Sequence, residues 1–362
     1  MNHAVHNDRI ASGHEGAAVN MRWDRERLRL LDQRRLPAEV LWVDCVDARE
    51  VADAIHAMIV RGAPAIAIAA AYGMALAARR HDNLPPQARR KALIAAGETL
   101  AAARPTAVNL AHVLERFVPL AKGGASAEAF AELAEAIHAE DIAINRRLAE
   151  SGAALLVPGS RILTHCNTGP LATGGIGTAF GVIAAAWQAG RIEEPCFTET
   201  RPWLQGSRLT AWEFSQAGIP ATLTTEAAAA GRALRGGFDA LVVGADRIAA
   251  NGDVANKIGT APLAALTRRG GGRVMVVAPS ATVDAALANG STLEIETRDG
   301  EEVWRTTGAA SVPAGIDIAN PVFDVTPAAE VDWIVTENGI VSPAKGERAD
   351  ALVPRFHVKI KC

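Results

Sequence analysis

The pattern of apolar residues changes at Pro158, and this change restricts the fold more than any other feature of the chain. After it come short continuous apolar runs, RILTH (161–165), PATLTT (220–225), DALVVGAD (239–246), RVMVVAP (273–279) and DWIVTE (332–337), each bounded by Gly, Pro or Asp. Segments with helical spacing separate them, at 175–190, 207–217, 226–235, 257–269 and 281–287. A continuous apolar run is buried on both faces, so these strands predict a parallel sheet covered by helices on each side. In such sheets ligands collect at the carboxyl ends of the strands.

Upstream of Pro158 the spacing is helical: VADAIHAMIV, AIAIAAAYGMALAARR, RRKALIAAGETLAAA, AHVLERFVPLA and SAEAFAELAEAIHAEDIAINRRLAESGAALL repeat apolar residues every three or four positions. Only LWVDC, near Val40 to Cys45, reads as a strand. An α/β chain is expected, with a disordered extension over 1–20, a mostly helical N-terminal domain over 21–155 and a parallel α/β domain over 156–362.

Composition narrows the function classes. Of 362 residues 49% are hydrophobic and 21% charged, which excludes a disordered chain; with aromatics at 4%, the core must be built from Ala, Val, Leu and Ile. Lys plus Arg number 37 against 40 Asp plus Glu, a net charge of −3, so neither a nucleic-acid-binding nor a membrane-surface field is indicated. Small molecules and further copies of the chain remain as partners. The uncharged stretch Gly62 to Ala78 spans 17 residues, contains Pro64 and Gly73, and reads as a buried helix and not as a membrane span. No signal-peptide core is present at the N-terminus, and the four cysteines, at 45, 166, 196 and 362, have no CxxC or metal spacing. Both point to a reducing, cytoplasmic setting.

Three segments carry candidate chemistry. In RILTHCNTGPLATGGIGTAFG a strand runs into a Gly/Thr-rich loop and then a helix, which sets Cys166 at a strand's carboxyl end beside backbone N–H groups and a helix N-terminus. A buried structural cysteine is the competing reading; the glycines do not follow the dinucleotide fingerprint, and His165 reads as a satisfied core histidine. In DALVVGADRIAANGDVANKIGT, Asp246 ends an apolar strand, where desolvation would raise its pKa toward neutrality, unless it only caps the following turn. Asp253 suits a turn cap, and Lys257, near the start of a helix expected from Asn256, would answer an external anion, against the alternative of a solvated lysine. In VRGAPAIAIAAAYG (60–73), Arg61 and Gly62 precede a helix starting at Pro64, a phosphate-binding arrangement unless Arg61 pairs with a carboxylate.

Together the strings VRGAPAIAIAAAYG, RPTAVNL, LTHCNTG, LATGGIGTA, ETRPWLQGSRLTAWE, GADRIAANGDVANKIGT and NPVFDVTP resemble the methylthioribose-1-phosphate isomerase family of methionine salvage, from about Arg22 to Glu347. That family is related to the regulatory subunits of the eukaryotic initiation-factor nucleotide-exchange complex and to ribose-1,5-bisphosphate isomerases. The resemblance implies a helical N-terminal domain, a Rossmann-like C-terminal domain, a homodimer and a site between the domains. It also implies an aldose–ketose isomerase acting on a sugar phosphate without metal or nucleotide cofactor. Carried over residue by residue, the catalytic thiol falls on Cys166 and the catalytic carboxylate on Asp246; substrate contacts fall on Arg61, Gly62, Ala63, Arg104, Gln205, Asn256 and Lys257. Ala67, Thr168, Pro170 and Ala261 depart from the commonest pattern. Another pentose 1-phosphate as substrate, or a noncatalytic regulatory subunit binding a sugar phosphate or nucleotide, are the alternatives.

Overall fold

The computed structural model describes residues 20–353 except 106, 306–307 and 309–311, so residues 1–19 of the expected extension, and Cys362, lie outside the described residues. The chain forms two units that interleave in sequence. One holds the described residues up to Arg146 with Asn167–Phe180 and Arg208–Ile219; the other holds Arg147–Cys166, Gly181–Ser207 and the described residues from Pro220 onward. A single division at 155/156 does not describe them. The reason within the first unit is long-range hydrogen bonding: the buried amide of Asn20 donates to Leu171 O (3.1 Å) and Thr173 O (2.9 Å), and that of Gln33 to Leu171 O (2.8 Å).

The first part of the chain begins with β1 (Met21–Trp23), β2 (Leu28–Leu31) and β3 (Trp42–Cys45), an antiparallel sheet in that order. Only the third was expected. β2 buries Leu28 and Leu30, while Arg29 between them lies opposite Asp44 and binds it at 2.8 Å; four residues of alternation are too short to stand out in a sequence. The helices α1 (Ala48–His56), α2 (Ala63–Arg80), α3 (Pro86–Ala102), α4 (Val108–Gly123) and α5 (Ala127–Leu155) follow the apolar spacing. α2 is buried without a break from Ala65 to Ala78, as its lack of charge requires. Among the described residues no helix is long and apolar enough to cross a membrane.

The chain continues through β4 (Ile162–Thr164), α6 (Ala179–Gln188), β5 (Cys196–Thr198), a π-helical turn at Gly206–Thr210, α7 (Ala211–Ala217), β6 (Thr222–Thr224), α8 (Glu226–Leu234) and β7 (Ala240–Val243). Then come β8 (Arg247–Ala249), β9 (Val254–Lys257), α9 (Thr260–Arg269), β10 (Arg273–Val277), β11 (Val283–Asp284), α10 (Glu301–Arg305), β12 (Phe323–Thr326), β13 (Trp333–Thr336) and β14 (Gly339–Val341). In the second unit seven strands form one sheet in the order β14-β13-β10-β7-β4-β5-β6, parallel except where β14 pairs with β13. Numbering the parallel strands as they occur in the chain gives 3-2-1-4-5-6, the Rossmann arrangement, with β14 added at the edge. A smaller sheet, β11-β8-β9-β12, belongs to the same unit.

The five expected strands all form, but the Asn256 helix start does not. Val254–Lys257 pairs antiparallel with Phe323–Thr326, so α9 begins only at Thr260. The helix expected at 281–287 is also absent: Ser280–Thr282 makes a 3-10 turn, and Val283–Asp284 pairs with Ile248 and Ala249.

Candidate active site

In the second unit, Cys166 and Asp246 follow two neighbouring parallel strands, β4 and β7, whose register aligns Ile162 with Ala240 and Leu163 with Leu241. The two residues thus leave the sheet at its carboxyl edge, where the strand order reverses direction, the usual ligand position of an open parallel sheet. Cys166 is buried and has φ of 70°, a left-handed backbone uncommon outside glycine. Its N–H donates to Thr200 Oγ1 at 3.0 Å, and its Sγ accepts from Gln205 Nε2 at 3.5 Å. Gln205 is itself buried, and its Oε1 has no hydrogen-bond partner among the described residues. The next residue must be glycine: a Cβ on Gly206 would fall 1.8 Å from Thr198 O.

His165 is fully buried, with Nε2 2.9 Å from Ile258 O and Nδ1 2.6 Å from Thr198 Oγ1. Burial holds its pKa below the usual imidazole range, so it is a neutral, satisfied core histidine, as expected from its place beside Cys166. Asp246 departs from expectation. It is exposed, because the chain turns after β7 into the β8–β9 hairpin, where Asp246 N–H donates to Ala255 O at 3.0 Å.

Asn256 is buried and its amide donates to Thr260 Oγ1 at 3.0 Å. Lys257 ends a strand and does not begin a helix, which removes the helix-dipole argument for it; its Nζ lies 4.5 Å from the centre of the Phe323 ring. The N-terminus of α9 is instead capped by Asp324, which accepts from Gly259 N (2.8 Å) and Ala261 N (3.1 Å), and whose carboxyl burial pushes up to about 6.

In the first unit, Arg61 binds the residue that follows Cys166. Its guanidinium donates to Asn167 O from Nη1 (3.4 Å) and Nη2 (3.3 Å), and to Asn167 Oδ1. Gly62 caps α2 with φ of 97° and no side-chain cap; a Cβ there would fall 2.6 Å from the backbone of Ala172, so the glycine is obligatory. Ala63 opens the helix, one residue earlier than expected, and Pro64 follows it. Arg104 sits half-buried in the turn after α3.

Three residues of this unit escaped the sequence reading. Glu213, on α7 and 1% exposed, accepts from Asn167 Nδ2 and from Leu171 N (2.7 Å), and burial pushes its carboxyl up to about 7. His138 and Asp141 of α5 hold both backbone groups of Gly174: His138 Nε2 donates to its carbonyl at 2.7 Å, and its N–H donates to Asp141 Oδ2 at 2.7 Å. Among the described residues no three His, Cys, Asp or Glu side chains converge as metal ligands.

Residues 59–343 match the initiation factor 2 subunit family. Over 330 residues, 90% of this chain and 94% of the relative, the sequence is 51% identical to a protein of Alcanivorax borkumensis named methylthioribose-1-phosphate isomerase. The chain belongs to this family, in its methylthioribose-1-phosphate isomerase group. The crystal structure of 5-methylthioribose 1-phosphate isomerase from Pyrococcus horikoshii OT3 is similar with a TM-score of 0.85 at 39% identity, covering 90% of this chain and 92% of that one. A structure described as translation initiation factor eIF-2B, subunit delta, from A. fulgidus matches with a TM-score of 0.83 at 38% identity, covering 92% and 98%.

The four positions expected to depart from the family's commonest pattern have local roles. Thr168 ties the Gly-rich loop to itself, its carbonyl accepting from Thr178 N (2.9 Å) and its hydroxyl from Phe180 N (3.3 Å). Ala67 and Pro170 are buried, and Ala261 lends its N–H to Asp324.

Proposed function

We propose that the protein is an aldose–ketose isomerase of methionine salvage, converting 5-methylthio-α-D-ribose 1-phosphate to 5-methylthio-D-ribulose 1-phosphate with Cys166 and Asp246 as its catalytic pair. The observation that carries the reading is a thiol and a carboxylate on the loops after two neighbouring parallel strands, in a chain 51% identical to a protein named for this reaction.

Phosphate on the anomeric oxygen prevents the sugar ring from opening freely, so a proton must reach the ring oxygen as its bond to C1 breaks. Asp246 in its acid form supplies that proton. Cys166 as thiolate takes the C2 proton, leaving an enol that carries the C1 phosphate. The thiol returns the same proton to C1 while the Asp246 carboxylate accepts the O2 proton, which leaves a C2 ketone and restores both residues. Hydrogen moves only within the substrate, so no redox cofactor or nucleotide is required. Arg61, Arg104 and Lys257, with the N–H groups of Gly62 and Ala63, hold the phosphate. Asn256 and Gln205 take the sugar hydroxyls; the unpartnered, buried Oε1 of Gln205 suits a hydroxyl donor. The enzyme works as a cytoplasmic homodimer.

Turnover of a panel of pentose 1-phosphates by purified protein tests the reading. Methylthioribose 1-phosphate should have the highest kcat/KM and 5-deoxyribose 1-phosphate a modest penalty, since an apolar 5-substituent contributes about 1–3 kcal/mol of discrimination. Ribose 1,5-bisphosphate should be poor, because its second phosphate needs further cationic partners. Cys166→Ser and Asp246→Asn should each lower kcat by about 10²- to 10⁴-fold; more than a tenth of wild-type kcat in either removes that residue from its role. The similarity to a chain described as an initiation-factor subunit favours one second reading, a regulatory subunit, for which binding without conversion across the whole panel would decide.

A further inference from the structure

Cys166 is not the only strained residue beside the carboxyl edge of β4. Thr200, on the loop after β5, has φ of 63°, a conformation that a β-branched side chain strongly disfavours. Two such residues joined by a hydrogen bond persist only if their surroundings hold them. The holding groups form one continuous series. Ile258 O can only accept, so His165 Nε2 carries the hydrogen of the 2.9 Å contact. The imidazole is neutral, so Nδ1 has no hydrogen and accepts from the Thr198 hydroxyl at 2.6 Å. Thr198 Oγ1 then accepts from Thr200 Oγ1 at 3.2 Å, the shorter of that hydroxyl's two contacts to an acceptor, the other being Thr198 O at 3.4 Å. The lone pairs of Thr200 Oγ1 are left for the N–H of Cys166 at 3.0 Å. Glu226 at the start of α8 fixes the other side of Thr200, accepting its backbone N–H at 2.6 Å. Every hydroxyl in the series donates once, and its direction is set by the carbonyl at the far end.

We propose that His165, Thr198 and Thr200 are positioning residues that hold the Cys166 backbone in its left-handed conformation and so set the line along which the thiol meets its substrate. The inference rests on the catalytic reading of Cys166 above, although the hold on the thiol is measurable without turnover. A rigidly held side chain is what proton transfer requires, since reacting groups must stay within a few tenths of an ångström of the productive geometry. The series acts through the Cys166 N–H.

Thr200→Val removes the acceptor at nearly constant volume, and Thr200→Ser keeps it. In Thr200→Val, kcat should fall about 10- to 100-fold with KM within threefold of wild type, whereas Thr200→Ser should keep more than half of wild-type kcat. A group that merely packs the core would move both variants alike. Iodoacetamide alkylation, followed peptide by peptide at Cys166 in the folded protein, provides a readout independent of substrate: its rate should change more than fivefold in Thr200→Val and less than twofold in Thr200→Ser. If Thr200→Val does not fold, Thr198→Val breaks the series one step further away and should give the same pattern. Wild-type kcat and wild-type alkylation rates in a folded Val variant would overturn the proposal. A wild-type protein without turnover would instead refute the proposed isomerase and leave the alkylation rates to decide on the series.

Discussion

Glu213 shows how a single residue can matter to a site without belonging to its recognisable chemistry. Both carboxylate oxygens accept N–H groups of the loop that follows Cys166, and Gly169 packs so closely that a Cβ would lie 2.3 Å from Glu213 Oε2. Burial pushes the carboxyl up to about 7 from 4.5, so the folded chain holds this proton more tightly than the unfolded chain does. The stabilisation is complete below pH 4.5 and is lost as pH rises through 7, a change on the order of 3 kcal/mol. Urea midpoints of wild type and Glu213→Gln should therefore diverge in favour of the variant between pH 4.5 and 7.5; a difference that stays constant with pH would contradict this. Little in the sequence announced the residue, because LTAWEF looks like an ordinary helix with one glutamate. His138 and Asp141 were more legible, standing with Asn145 at helical spacings of three and four along one helix. The wet position of Asp246 was not legible at all, since it depends on the hairpin that follows β7 and not on the apolar strand before it.

At the scale of elements, continuous apolar runs of three to five residues announced β7, β10 and β13, while β5 and the strands of the smaller sheet stayed hidden. Strands of two to four residues with mixed polarity carry too few positions for a period to emerge, and only their partners define them. Glycines behave similarly, since their role depends on what lies across from them. Gly62 and Gly97 both belong to the helical part of the chain, yet a Cβ on Gly62 meets the Ala172 backbone at 2.6 Å and one on Gly97 meets only Met74 Sδ at 3.8 Å. Gly62→Ala, at φ of 97°, should destabilise the protein by about 2–4 kcal/mol. Gly97→Ala, inside α3, should stabilise it by about 0.5–1 kcal/mol. Chemical denaturation of the two variants checks both signs, and a stabilised Gly62→Ala would show that α2 does not start as described.

For the molecule as a whole, a covered parallel sheet was implicit in the βα alternation and its Rossmann character in the family resemblance, but the make-up of the first unit was in neither. Its partners lie far apart in sequence: Asn20 and Gln33 bind Leu171, His138 and Asp141 bind Gly174, and Arg208 Nη2 donates to Gln33 O at 2.9 Å. No local pattern encodes a hydrogen bond between residues more than thirty positions apart. A fragment ending at residue 155 would leave each of these buried groups without its partner, so it should lack a cooperative thermal transition and a native near-ultraviolet dichroism spectrum. A sharp two-state transition in that fragment would mean that the first 155 residues form a self-sufficient domain after all.

The five chain passages between the units, after Arg146, Cys166, Phe180, Ser207 and Ile219, also bear on how the protein is made. A ribosome releases its product from the N-terminus, and a domain contained in one stretch can close as soon as that stretch emerges. Here the first unit must wait for Ile219, by which time β4, β5 and much of the second unit's connecting chain have already appeared. The first unit therefore cannot close from its own helices alone during synthesis, and the nascent chain exposes the apolar faces of α2 and α5 for longer than its order of helices would suggest.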